Sequence, residues 1–253
     1  MNDLLNSVDY KRHKNSKNKS IIPEFKLDAY CINLKRKENN YKYMCEEWKD
    51  HLNLKRFIAL ESATKSHQAI MLDIWKNKET IQFPIAIVED DIFWYGNFNF
   101  YWNKLKELTD IDYVCFDGFW IQNAEEENYQ LEYFFKLREH RAIGFNVYYK
   151  QLFDKYESEE ELMNDIHYVR PRDNKMFPFD MYFTHKKHNT KEITKVYPYH
   201  QVCKQVVHKV SETNKQNHGK IHNKFYYDAF LHIEKERRKR NRNDELKVFK
   251  IIT

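Results

Sequence analysis

IAIVEDDI, residues 85–92, sets four consecutive apolar side chains directly against three carboxylates. An apolar run of that length, just after Pro84, fits a strand buried on both faces. Three acids at the end of such a strand are costly, because like charges at short range raise each other's pKa. A divalent cation removes that cost by supplying positive charge and taking oxygen ligands. In open α/β sheets, ligands sit beyond the carboxyl ends of the strands, where these acids fall. Side chains alternate along a strand, so Glu89 and Asp91 point one way and Asp90 the other. Such a pair can hold a metal and, through it, a diphosphate. The same three acids also read as a solvated strand end, and the residues alone leave both readings open.

Outward from this stretch, strands alternate with amphipathic helices. DAYCINL (28–34) reads as a strand, followed by a helical face of Tyr41, Met44, Cys45, Trp48 and Leu52. FIAL (57–60) is a second strand. His67, Ile70, Met71, Ile74 and Trp75 then recur at i, i+3, i+4, i+7 and i+8, the spacing of one helical face. A helix around Tyr101, Trp102, Leu105 and Leu108 and a strand DYVCFDG (112–118) complete the first half. LEYFFKL (131–137), AIGFNVYY (142–149) and ITKVYPYH (193–200) read as strands, and QLFDKY as a short helix. This alternation predicts an α/β fold with a mostly parallel central sheet and helices on both faces.

The 253 residues suit one large domain with appendages. Residues 1–24 read as a solvated basic arm, 25–213 as the folded domain, and 214–253 as a helical extension with a basic tail. A mean hydropathy of −0.89 and the lack of a long apolar run predict a soluble chain with no membrane span. The first residues lack the apolar centre of a signal peptide, so the expected compartment is the cytoplasm, or the host cytoplasm if the source is viral. Cys31, Cys45, Cys115 and Cys203 show no metal-ligand spacing and are expected to be reduced. A net charge of +5 is too mild to define a partner.

Five segments together resemble glycosyltransferase family 25, which contains lipooligosaccharide transferases and collagen galactosyltransferases. CINLKRKENN (31–40) is similar to its donor loop, and ATKSHQAIMLDIW (63–75) to its Ser-His helix start, matched at Ser66 and His67. IAIVEDDI is similar to its EDD strand, FPFDMYF (177–183) to its Pro-x-Asp segment, and VYPYHQVCKQVVHKVSET (196–213) to the collagen-type Tyr-Pro-x-His segment. Residues 62–65 depart from the family, replacing its glycine and cysteine.

The resemblance implies a GT-A, Rossmann-like fold and inverting transfer from a UDP-sugar, with Mn²⁺ or Mg²⁺ as cofactor. Asp91 is the expected first metal ligand and a catalytic residue through it, with Glu89 and His200 completing the shell. An imidazole ligand tilts the choice towards Mn²⁺. Asn33, Arg36, Ser66, His67 and Asp90 are expected around the donor. Arg36 also reads as a solvated charge, and His67 as a core histidine on an apolar helical face. Asp180 is the candidate general base, since its apolar neighbours would raise its pKa. It reads equally as a structural aspartate after Pro178, and Asp117 is the next candidate.

The implied partners are a UDP-sugar and an acceptor hydroxyl, on hydroxylysine of a collagen-like protein or on a glycan. A metal-dependent phosphoesterase built on the same acids is an alternative. So is nucleic-acid binding through the basic runs KRHKNSKNK and ERRKRNR, which the core's acidic clusters oppose. His185 and His188 flank lysines, which work against metal binding. The His218–His222 pair has no acidic partner nearby.

Overall fold

The computed structural model describes residues 16–117, 119–123, 132–141, 143–167, 179, 183 and 190–205. Asp180, the basic run ERRKRNR, residues 11–15 of the other basic run, His185, His188 and the segment from 206 onward lie outside the described residues. Ten strands follow in chain order: β1 (Leu27–Asn33), β2 (Leu52–Ile58), β3 (Ile85–Glu89), β4 (Ile92–Trp94), β5 (Tyr113–Cys115), β6 (Phe119–Asn123), β7 (Phe134–Arg141), β8 (Phe145–Tyr148), β9 (Lys195–Pro198) and β10 (Cys203–Gln205). Among the described residues, five complete α-helices join them: α1 (Glu38–Glu47), α2 (Ala63–Lys76), α3 (Phe98–Asn103), α4 (Lys150–Asp154) and α5 (Glu159–Ile166).

Eight strands form one sheet in the order β2-β1-β3-β8-β5-β9-β7-β6, and β4 pairs with β10 in a second, two-stranded sheet. β1 runs parallel to β2 and β3, and β5 parallel to β9. β8 and β7 pair antiparallel with their neighbours, so they oppose the direction shared by the other six. The sheet is therefore mixed, though most strands point the same way. β1, β3 and β5 bring their carboxyl ends to one edge.

Alternation along the strands divides the core in two. Tyr30 and Ile32 of β1 and Ile85 and Ile87 of β3 pack with Ile70, Met71 and Ile74 of α2, Leu152 and Phe153 of α4, and Leu162 and Ile166 of α5. Ala29 and Cys31 of β1 and Ala86 and Val88 of β3 pack on the opposite side with Met44 of α1 and Phe98, Tyr101 and Trp102 of α3. A strand covered on both faces must be apolar at every position, which is why IAIV reads as a continuous run. All four cysteine thiols are free; Cys45 is exposed and the other three are buried. No helix among the described residues is long and apolar enough to cross a membrane.

The structure differs from the sequence reading at four places. Leu52 begins β2 rather than closing a helix. It shares the Trp48 face at i+4, but the chain turns after Trp48, and Leu52 N–H still bonds Trp48 O at 2.8 Å. α5 was not expected. Ser158 caps it by accepting the Glu161 N–H at 3.2 Å, so the acidic run ESEEEL is a helix start whose first-turn charges suit the helix dipole. The helix expected around 101–108 is six residues of α-helix followed by a 3₁₀ turn, Lys104–Glu107.

Residues 16–24, read as part of a solvated arm, lie against the fold. Asn99 Nδ2 donates to Ile21 O at 2.6 Å, Asn103 Nδ2 to Ile22 O at 3.0 Å, and Asn18 N–H to Gly96 O at 2.8 Å. Lys17 is buried against Glu47 and lies 4.3 Å over the Trp94 ring.

Candidate functional site

The carboxyl edge of β1, β3 and β5 collects Asn33, Glu89, Asp90, Asp91 and Asp117. β3 ends at Glu89, and the turn through Asp90 and Asp91 leads into β4. As alternation predicts, Glu89 and Asp91 share a side. Both accept from the amide nitrogen of Gln205, at 2.9 Å from Glu89 Oε2 and 3.1 Å from Asp91 Oδ1. The Gln205 backbone N–H reaches a third carboxylate, Asp117 Oδ1, at 3.2 Å. The pairing of β10 with β4, which sets Gln205 opposite Ile92, makes these contacts possible.

Asp90 turns the other way, into a separate network. It accepts from Asn33 Nδ2 at 2.6 Å, and Asn33 Oδ1 accepts from Arg56 Nε at 2.8 Å. Burial first, then the neighbouring Asp91 charge, push the Asp90 carboxyl up to about 7; the Asn33 hydrogen bond and Lys37 pull it back. Asn33 also donates to Lys37 O at 2.8 Å, which holds the 3₁₀ turn Lys35–Lys37 against the strand end. Arg36 on that turn is exposed. The cation that meets Asn33 is Arg56 of β2.

His67 of α2 is fully buried, and its Nε2 lies 3.2 Å from Glu89 Oε1. Phe179 stacks on the His67 ring at 5.5 Å with planes 11° apart, and its N–H bonds Thr64 Oγ1 at 3.2 Å. Histidine and glutamate thus orient one another, and Phe179, the residue before Asp180, seals the ring. Ser66 is also buried. Its hydroxyl donates to Ser62 O and accepts from Leu60 N–H, both at 2.9 Å, which ties the loop after β2 to the first turn of α2.

The structure therefore brings together Glu89, Asp91 and His67, and places Asn33 and Asp90 beside them. His200 stands apart from this group. Its Nδ1 pairs with Tyr101 Oη of α3 at 2.5 Å. The β4–β10 register runs away from the acids in that direction, since Cys203 faces Trp94 and the Val202 carbonyl meets Tyr95 N–H. Among the described residues no group of three or more His, Cys, Asp and Glu side chains is placed to hold a metal ion. Asp117, the next candidate for the base, is fully buried at the edge. A Cβ on Gly144 would lie 2.5 Å from Asp117 Oδ2 and 2.6 Å from Ile92 Cδ1, so a larger residue there would force one of those side chains to move.

Gln205 and Arg56 were missed. Gln205 lies in a three-residue strand with no periodic signal, and Arg56 in a half-buried edge strand where a basic residue is ordinary.

No protein-family model matches the chain, and no curated protein is similar to it in sequence. Among solved structures, the crystal structure of A197 from STIV is similar over 53% of this chain and 70% of that one, at 10% identity and a TM-score of 0.33.

Proposed function

We propose that the chain is a divalent-cation-dependent inverting glycosyltransferase that moves a hexose, galactose or glucose, from a UDP-sugar to an acceptor hydroxyl. The observation that carries this reading is the convergence of Glu89 and Asp91 on the single amide nitrogen of Gln205, at the carboxyl edge of the sheet. Two carboxylates aimed at one donor fit a cation's demand for convergent oxygens. Mg²⁺ sites commonly use one or two protein carboxylates, with substrate phosphates completing the shell.

In this reading Glu89 and Asp91 would hold the cation, which when bound neutralises the charge gained by the leaving nucleoside diphosphate. His67 orients Glu89, as outer partners of metal ligands do. Asn33 and Asp90 brace the strand ends, and Arg56 adds positive charge near the diphosphate. With His200 held by Tyr101, the imidazole argument for Mn²⁺ lapses, and oxygen ligands suit Mg²⁺ and Mn²⁺ alike. Asp180 remains the proposed base, supported by Phe179 packing on His67. The resemblance to glycosyltransferase family 25 supplies the donor and the acceptor classes, hydroxylysine of a collagen-like protein or a glycan hydroxyl.

The test is thermal denaturation with UDP, GDP or CMP, with and without Mn²⁺. Ligands that bind the native state raise its melting point. UDP with Mn²⁺ should give the largest shift, and Asp91→Ala should abolish it together with sugar transfer. Equal shifts for all three nucleotides, or none, would count against the reading. Phosphate release from nucleotides without sugar transfer would favour a phosphoesterase.

A further inference from the structure

The Gln205 side chain engages the same carboxylate oxygens that a cation at Glu89 and Asp91 would need. Its Nε2 lies 2.9 Å from Glu89 Oε2, and 3.1 and 3.3 Å from the two oxygens of Asp91. An amide nitrogen carries two N–H groups and accepts nothing, so its positive end points at both acids. The other oxygen of Glu89, Oε1, faces His67 Nε2 at 3.2 Å. Glu89 is thus divided between a histidine that orients it and an amide that takes its second oxygen.

An amide and a cation cannot share these oxygens. Mg²⁺ binds oxygen ligands at roughly 2.0–2.1 Å, well inside hydrogen-bond length. An ion at that distance from Glu89 Oε2 and Asp91 Oδ1 meets N–H hydrogens aimed at the same lone pairs, positive against positive. One of the two must give way.

The amide is built to do so without disturbing the strand that carries it. The Gln205 backbone is anchored on its own account. β10 pairs with β4, with Gln205 opposite Ile92, and the Gln205 N–H donates to buried Asp117 Oδ1 at 3.2 Å. The flexible stem of glutamine separates this anchor from the amide, and staggered rotamers let the head swing while the backbone stays. Gln205 is half-buried, so a displaced amide can reach water.

We propose that the Gln205 side chain is a built-in competitor for the cation. It holds Glu89 and Asp91 until a divalent ion displaces it, and so sets the ion concentration at which the site loads. The proposal rests on the reading of Glu89 and Asp91 as cation ligands. Hydrogen bonds to ionised acceptors are roughly twice as strong as neutral ones, which makes the competition large enough to measure.

Mg²⁺ titration of the isotope-labelled full chain, followed by NMR through the Gln205 side-chain amide resonances, tests the displacement. Gln205→Met keeps the length of the side chain, removes both N–H groups and identifies those resonances by their loss. They should move upfield as the bonds to the carboxylates break, while the Gln205 backbone N–H, held by Asp117, shifts little. Mn²⁺ affinity, read from the free ion by electron paramagnetic resonance, should be about tenfold tighter in Gln205→Met than in the wild type. Circular dichroism checks that the variant is folded. No Mn²⁺ binding to either protein would overturn the cation reading and this proposal together. Equal or weaker binding in Gln205→Met, or amide resonances that stay in place while Mg²⁺ binds, would overturn this proposal alone.

Discussion

Gln205 settles whether three carboxylates can share one edge in the absence of a cation. Its amide N–H groups bridge Glu89 and Asp91, and its backbone N–H reaches Asp117. Removing that side chain takes away the amide that bridges the two like charges. Gln205→Ala should therefore lower stability in metal-free buffer by about 1–3 kcal/mol. Mn²⁺ should recover more of the melting temperature in the variant than in the wild type, since the cation takes over the lost positive contact. Equal Mn²⁺ shifts in both proteins would show that the ion does not bind between the two acids. His51 makes a different residue-scale prediction. Burial pulls its pKa down to about 4, from an ordinary value near 6.5. The unfolded chain therefore binds a proton that the folded chain refuses. Stability should fall as pH drops below about 6.5, and the full loss should be reached near pH 4. His51→Gln keeps a donor for Asn99 and cannot titrate, so acid denaturation profiles of the two should converge at low pH. A variant with the same slope as the wild type between pH 6.5 and 4 would assign the acid sensitivity to other groups.

At the scale of elements, the chain before β8 comes so close to Asp117 and to Ile92 of β4 that any Cβ at Gly144 forces a side chain to shift. A Cβ there meets a carboxylate oxygen and a branched side chain of β4, both fully buried. Gly144→Ala should destabilise the fold by about 1–3 kcal/mol, as overpacking does. It should also disturb the Gln205–Asp117 contact, visible as a weaker Mn²⁺ effect on melting. An unchanged melting temperature would mean that β4 yields without cost. The elements that the sequence made legible share one property, burial strong enough to leave a run or a period. β1, β3, β8 and α2 are covered along their length, and their patterns name them. β4 and β10 have three residues each, below any period, so the small sheet that carries Gln205 to the acids left no trace in composition. For the same reason Glu89 and Asp91 were legible as a pair, while the residue that binds them together was not. α5 failed for another cause: its acidic first turn resembles a solvated charge run unless the capping serine is read with it.

For the molecule as a whole, segment 16–25 shows how a stretch of solvated composition is drawn onto a fold by groups that lie far away in sequence. KNKSIIPEF is held in part by Phe25, which stacks on Trp102 at 5.5 Å, and in part by donors on α3: Asn99 and Asn103 to the carbonyls of Ile21 and Ile22, and Trp102 Nε1 to that of Phe25 at 3.0 Å. The donors are invisible in the segment's own residues, and the charged run before Ile21 makes it read as an arm. The two asparagines should not be equivalent. Asn103 is half-buried and its partners lie in exposed positions, so water can replace it after Asn103→Ala, at a cost of about 0.5–1 kcal/mol. Asn99 is 4% exposed and serves two partners at once, accepting from His51 and donating to Ile21. Asn99→Ala orphans a buried imidazole N–H as well as releasing the segment, and should cost about 2–4 kcal/mol. Chemical denaturation measures both losses, and limited proteolysis should detect early cleavage near residues 19–24 in the Asn99 variant. The double variant should fall short of the sum, because both side chains hold the same stretch of chain and the second finds it already loosened. Strict additivity would mean that the two attachments act independently, and that the segment is not held as one unit.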